Sequence, residues 1–168
     1  MSLSMIDGIE IIAGLPADFT TGERERFQEL VEEAGEVSGA TLSTNIANSK
    51  VLIMLKQHGV VQGTAALKRP QASYREKIAK RAAVALLGAD YPYELGYVFI
   101  EPNLQGRGLS HRLVSDAIAH SDGAALFATA RTDNAAMFAT LTKAGFALIG
   151  KPYSSRHDRM IGVLTKER

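Results

Sequence analysis

Glu94-Leu95-Gly96-Tyr97-Val98-Phe99-Ile100-Glu101-Pro102-Asn103-Leu104-Gln105-Gly106-Arg107-Gly108-Leu109-Ser110 is the stretch that decides how this chain folds. Residues 93–100 form a β-rich apolar run, and Glu101-Pro102 closes it. Beyond the glycines, Leu109, Leu113, Val114, Ala117 and Ile118 recur with helical spacing, so the run reads as strand, glycine turn, helix. Backbone N–H groups in such a turn, at the positive end of a helix, hold phosphate-like anions where no Cβ blocks the approach. Gly106 and Gly108 supply that opening, and Arg107 adds a charge able to pair with phosphate.

Toward the N-terminus, residues 8–12 read as a first strand, and Phe27, Leu30, Val31 and Ala34 form the apolar stripe of a surface helix that Gly35 ends. Residues 38–49 are small and polar and fit a loop or a short second helix. Val51 to Leu55 and Val60 to Leu67 flank Gln57-His58-Gly59, which predicts an antiparallel hairpin. Residues 74–87 change period, with Ile78, Ala82, Ala85 and Leu86 as a helical stripe and Arg75, Lys77, Lys80 and Arg81 on the other face. That face is either a solvated helix surface or a basic lip for an anionic partner.

Toward the C-terminus, residues 124–129 read as a buried strand, and Thr132 or Asp133 caps a helix through Ala144 that Gly145 terminates. Residues 146–149 and 160–164 are the final strands, joined by a loop at Lys151-Pro152-Tyr153-Ser154-Ser155. No repeat, low-complexity tract or linker interrupts the chain. The expectation is one α/β domain of the α+β kind, spanning residues 5–168, with a mixed, twisted sheet flanked by helices. Met1-Ser2-Leu3-Ser4 precedes a second methionine, Met5, and is left outside it.

Composition narrows the function. The chain has 168 residues, 46% of them hydrophobic and 22% charged, enough for one self-sufficient core. Nineteen Lys and Arg against 18 Asp and Glu give a net charge of +1, which argues against bulk affinity for nucleic acid or anionic membrane. No run has the length of a membrane span and no basic leader precedes an apolar stretch, so a cytoplasmic location is expected. With no cysteine, there is no disulfide framework, thiolate metal site or cysteine nucleophile.

Other nucleotide and metal signatures fail. Gly145 to Lys151 begins like a phosphate-binding Gly-x-x-x-x-Gly-Lys, but Pro152 stands where Ser or Thr is needed and the intervening residues read as strand. The third glycine of a dinucleotide motif is replaced by His111, so NAD is not expected. His111 and His120 fall on opposite faces of their helix, while His58 sits in a turn and His157 in a charged loop, so no metal site is expected. Gly-x-Ser-x-Gly does not occur.

In this order of elements the chain resembles the GNAT superfamily of acetyl-CoA-dependent N-acetyltransferases over nearly its whole length. The family's Arg/Gln-x-x-Gly-x-Gly/Ala is met by Gln105, Gly108 and Ser110, the serine being a small departure at the last position. A second motif also agrees, since Asn134 opens a helix that Gly145-Phe146 closes.

The resemblance implies that backbone N–H groups of Gln105, Gly106, Arg107, Gly108, Leu109 and Ser110 receive the pyrophosphate of acetyl-CoA. Pantetheine pairs with Val98, Phe99 and Ile100, and a backbone N–H there polarises the thioester carbonyl. Asn134 faces the pantetheine end. A lysine-like amine with pKa near 10.4 loses its proton at pH 7 at a cost of roughly 4.6 kcal/mol, so a base is useful. Glu94, eleven residues before Gln105, is similar to the family's strand-borne base.

One departure bears on the acid. The family commonly has a tyrosine seven residues after the asparagine to protonate the leaving thiolate, and here that position is Leu141. Tyr153 or Tyr97 substitutes, or the thiolate leaves unaided. The implied partners are acetyl-CoA and an amine acceptor, small molecule or peptide, with residues 74–87 as a wall of the acceptor site and a homodimer left open. Two functions stand: direct acetyl transfer to a primary amine, or a catalytically silent acyl-CoA-binding module.

Overall fold

The computed structural model describes residues 8–35, 41–155 and 158–168. The chain opens with strand β1 (Ile9–Gly14) and helix α1 (Thr21–Glu33). Thr20 caps α1 through a reciprocal pair: its Oγ1 accepts from Glu23 N–H at 3.1 Å and its own N–H donates to Glu23 Oε1 at 2.9 Å. The expected stripe is buried at Phe27, Leu30 and Val31. Of the two readings open for the next segment, the helix is found as α2 (Thr41–Ala47); residues 38–40 of that segment lie outside the described chain.

Strands β2 (Val51–Gln57) and β3 (Val60–Lys68) form the expected hairpin, with His58 and Gly59 both at positive φ as a tight two-residue turn requires. Helix α3 (Ala72–Ala82) is shorter than its apolar pattern suggests. Ala83 turns left-handed at φ 56°, and the amides of Ala83 and Val84 fold back onto the carbonyls of Lys80 and Ala79. Ala85 is therefore exposed, whereas Leu86 returns to the core.

Strand β4 (Tyr93–Ile100) has the expected bounds and leads through a short 3-10 turn to α4 (Leu109–Ala119). Strand β5 is Leu126–Arg131, and α5 (Ala135–Lys143) is capped by Asn134, whose Oδ1 accepts from Met137 N–H at 3.1 Å. Asn134 thus replaces Thr132 or Asp133 as the cap. Strands β6 (Ala147–Ser154) and β7 (Met160–Lys166) complete the chain, and residues 151–154, expected as loop, lie in β6. The register between β6 and β7 shifts between Ile149 and Tyr153, which lets the strand carry Pro152.

The seven strands form one mixed sheet in the order β1-β2-β3-β4-β5-β7-β6. Every neighbouring pair is antiparallel except β4 and β5. These two pair only at Tyr93–Leu126 and Glu94–Phe127, after which they diverge. Helices α4 and α5 cover one face, packing with Leu95, Leu113, Val114, Leu126 and Leu141. On the other face α1 and α2 bury Leu52, Met54 and Tyr97, while α3 packs Ile78 and Ala82 against Phe127 and Val163.

A bulge bends β4 where the splay begins. Ala66 pairs with Gly96 and Thr64 with Phe99, so Tyr97 and Val98 together oppose Ala65. Tyr97 sits at φ 55°, a conformation costly for a side chain of this size. It is held there by the fully buried Thr64, whose Oγ1 donates to Tyr97 O at 2.6 Å, and by edge-to-face packing on Phe27.

Candidate active site

The divergence of β4 and β5 opens a cleft of about 570 Å³ on the α4–α5 face. Val98, Phe99 and Ile100 form one wall, Gln105, Gly106, Gly108, Leu109 and Ser110 its end, and Asn134 with one face of α5 the opposite wall. Gly106 and Gly108 have φ of 80° and 73°, and a Cβ added at either meets no protein atom within 4 Å. Backbone conformation therefore demands glycine here, and the space outside is open to a ligand.

Gly108 is the N-cap of α4, and the first turn carries no acidic residue, so the positive helix end faces the cleft unneutralised. Gln105 Nε2 donates to Ile100 O at 2.9 Å, tying the turn to the end of β4. His111 and Lys143 also line the cleft, and His111 Nδ1 is buried there with no hydrogen-bond partner. An anionic, elongated ligand with a phosphate at the α4 end suits this donor set.

Arg107 differs from its neighbours. Its side chain is exposed on the turn and does not line the cleft. Glu94 also lies outside the cleft. It is 2% exposed, on the opposite sheet face, in a cluster that the sequence does not announce. Lys68 Nζ lies 3.1 Å from Glu94 Oε1 in an ion pair, and Tyr74 on α3 donates its hydroxyl to Oε2 at 2.9 Å.

Lys68 reaches Glu94 as its direct cross-strand partner, with its stem crossing Gly96 so closely that a Cβ there would lie 2.8 Å from Lys68 Cδ. The ammonium sits 4.6 Å from the Tyr97 ring centre and 5.4 Å from that of Tyr74. Burial opposes its charge, but the carboxylate and the Tyr97 phenol outweigh this and hold Lys68 above the ordinary lysine value. Burial and the Glu94 charge push Tyr74 well above the ordinary phenol value, so it stays protonated.

Of the residues expected in the site, Val98, Phe99, Ile100, Gln105, Gly106, Gly108, Leu109, Ser110 and Asn134 come together. Leu141 is 2% exposed and packs into the core instead of facing the cleft. Tyr97 and Tyr153 are on the Glu94 side of the sheet, where burial raises both phenols. Among the described residues no group of three or more His, Asp or Glu side chains is placed to hold a metal, and no helix is long and apolar enough to cross a membrane.

The fold, as a whole, is similar to that of solved acetyltransferases, two of them described as of the GNAT family. Escherichia coli ElaA superposes with a TM-score of 0.69 at 11% identity, over 95% of this chain and 99% of that one. The yncA protein of Salmonella typhimurium, solved with acetyl-CoA, gives 0.66 at 17% identity over 95% and 94%. The ribosomal-protein-S18-alanine N-acetyltransferase of Escherichia coli gives 0.65 at 17% over 94% and 93%. No family model matches the chain, nor does the sequence of any curated protein.

Proposed function

We propose that this chain is a single acetyltransferase domain, spanning residues 5–168, that moves an acetyl group from acetyl-CoA to a primary amine. The observation that carries this is the coincidence of two features: strands that part after one short paired segment, and a left-handed glycine turn heading a helix at the mouth of the gap. The parted edge of β4 offers backbone groups for a pantetheine arm at Val98, Phe99 and Ile100. The amides of Gly106 to Ser110 suit a pyrophosphate, whereas that of Gln105, also expected there, donates to Pro102 O at 3.3 Å. A cleft of about 570 Å³ is in the range for a ligand of this size.

Acetyl transfer proceeds by direct attack in a ternary complex, since the chain has no cysteine to carry an acyl group. Glu94 takes the amine proton. Lys68 pairs with its carboxylate, and the Tyr74 hydroxyl donates to it and orients it. The contact from Tyr74 also supports α3 as a wall of the acceptor site. The buried Leu141 favours a second reading, a module that binds acyl-CoA and does no chemistry.

An amine panel with acetyl-CoA and thiol detection tests the two. Release of CoA supports catalysis, and background release across the panel supports the silent module. Gly108→Glu places bulk and negative charge at the phosphate position and abolishes acetyl-CoA binding by calorimetry; near-normal affinity overturns the cofactor assignment. Glu94→Gln lowers kcat/KM and alters the acidic limb of its pH profile while cofactor binding persists, and an unaltered profile removes Glu94 from the mechanism.

A further inference from the structure

Acyl transfer from a thioester is helped by a proton at sulfur as well as by a base at nitrogen, and Leu141 has none to give. On the reading above, the thioester lies where β4 and β5 part. Glu94 is the last residue of β4 paired with β5, and the Tyr74 hydroxyl donates to its Oε2 at 2.9 Å. Thr129, on β5 two residues beyond the last pair, also faces this phenol and partly offsets its rise. Tyr74 is therefore hydrogen-bonded to β4 beside the opening, while its residue as a whole stays 37% exposed.

We infer that Tyr74, carried on α3, is the proton donor to the leaving thiolate and forms with Glu94 a relay that passes the amine's proton to sulfur. The amine nitrogen bonds to the acyl carbon as the carbon–sulfur bond breaks. Glu94 accepts the proton that leaves nitrogen, and Tyr74 gives its phenol proton to sulfur. The proton on Glu94 then crosses the existing hydrogen bond to the phenolate oxygen, so both side chains end as they began.

The order of acidities explains why two groups are needed. A phenol is a weaker acid than a thiol, and Tyr74 is held further above the ordinary phenol value, so a lone tyrosine is a poor donor here. A carboxylic acid freshly formed by taking the amine's proton is a stronger acid than the phenol, so refilling the phenolate is downhill. The other charged or titratable groups facing Tyr74 and Glu94 are Lys68 on β3, Tyr97 on β4, Arg75 on α3 and Tyr153 on β6.

The test uses CoA itself, so it does not require the acceptor. With the protein saturated as judged by calorimetry, the bound thiol is titrated by its ultraviolet thiolate absorbance. A phenol donating to the thiolate lowers the thiol pKa by about one unit or more. Tyr74→Phe returns it toward the free value, whereas fluorotyrosine at position 74, a stronger donor that keeps ring and hydroxyl, lowers it further. Equal thiol pKa values in the wild type and both variants overturn the relay and leave the proposed function standing. Failure of CoA to bind the wild-type protein overturns the proposed function and the relay with it.

Discussion

Lys68→Met tests whether the buried ion pair holds the site together. Methionine keeps an apolar stem over Gly96 and removes only the ammonium. At 3.1 Å, and with an effective dielectric constant of about 20, the attraction between Lys68 and Glu94 is roughly 5 kcal/mol before desolvation is subtracted. Removing one partner of such a pair costs about 3–5 kcal/mol, because Glu94, with its side chain 3% exposed, is left as an uncompensated charge. The carboxyl escapes part of this by taking up a proton on folding. From a reference glutamate near 4.3, that costs about 3.7 kcal/mol at pH 7 and about 1 kcal/mol at pH 5.

The variant therefore loses between 3 and 4 kcal/mol at pH 7, or about 10 °C in Tm, and only about 1 kcal/mol at pH 5. The sign follows from linkage: folding of the variant takes up a proton, so its stability falls as pH rises. In the wild type the ammonium titrates above the ordinary lysine value and stays charged across this range. Urea unfolding of both proteins at the two pH values measures the difference. Adding Glu94→Gln to the variant restores most of the loss. A deficit below about 1 kcal/mol at pH 7, or one independent of pH, refutes the reasoning.

Gly108→Ala, forced into φ 73° with open space around its Cβ, costs about 1–2 kcal/mol of stability and weakens acetyl-CoA binding at least tenfold; unchanged affinity by calorimetry places the phosphates elsewhere. Thr64→Val leaves Tyr97 O without its donor, lowers stability by about 1–3 kcal/mol and lets the bulge relax, which an altered Val98 amide shift in an NMR spectrum detects. Leu141→Tyr overpacks a core position, costs about 1–3 kcal/mol and gives no gain in rate; faster turnover contradicts its inward orientation.

The residues that line the cleft were legible because their signals are local. Gln105, Gly108 and Asn134 act through backbone geometry within a few residues, and the bounds of β4 follow from an apolar run ended by Glu101-Pro102. The Glu94 cluster was not, because Lys68, Tyr74 and Glu94 meet through strand register and the docking of α3. A lysine at the end of β3 reads as an exposed terminus until the strand beside it is known. Tyr97 gave no sign of its left-handed backbone, since tertiary contacts from Thr64 and Phe27 impose it. Pro152 suggested a loop, yet β6 is the sheet's edge strand, where a missing N–H is tolerated.

The two residue pairs joining β4 to β5 make the sheet, mechanically, two blocks, β1–β4 and β5–β7, coupled by a narrow backbone hinge. Every other junction between neighbouring strands has at least five pairs. A ligand lying along the open edge of Val98 to Ile100 and against α5 acts as a splint across that hinge. Occupancy then governs rigidity as well as chemistry: the blocks open as one cooperative unit when the splint is in place, and amide exchange slows in strands far from any contact with the ligand.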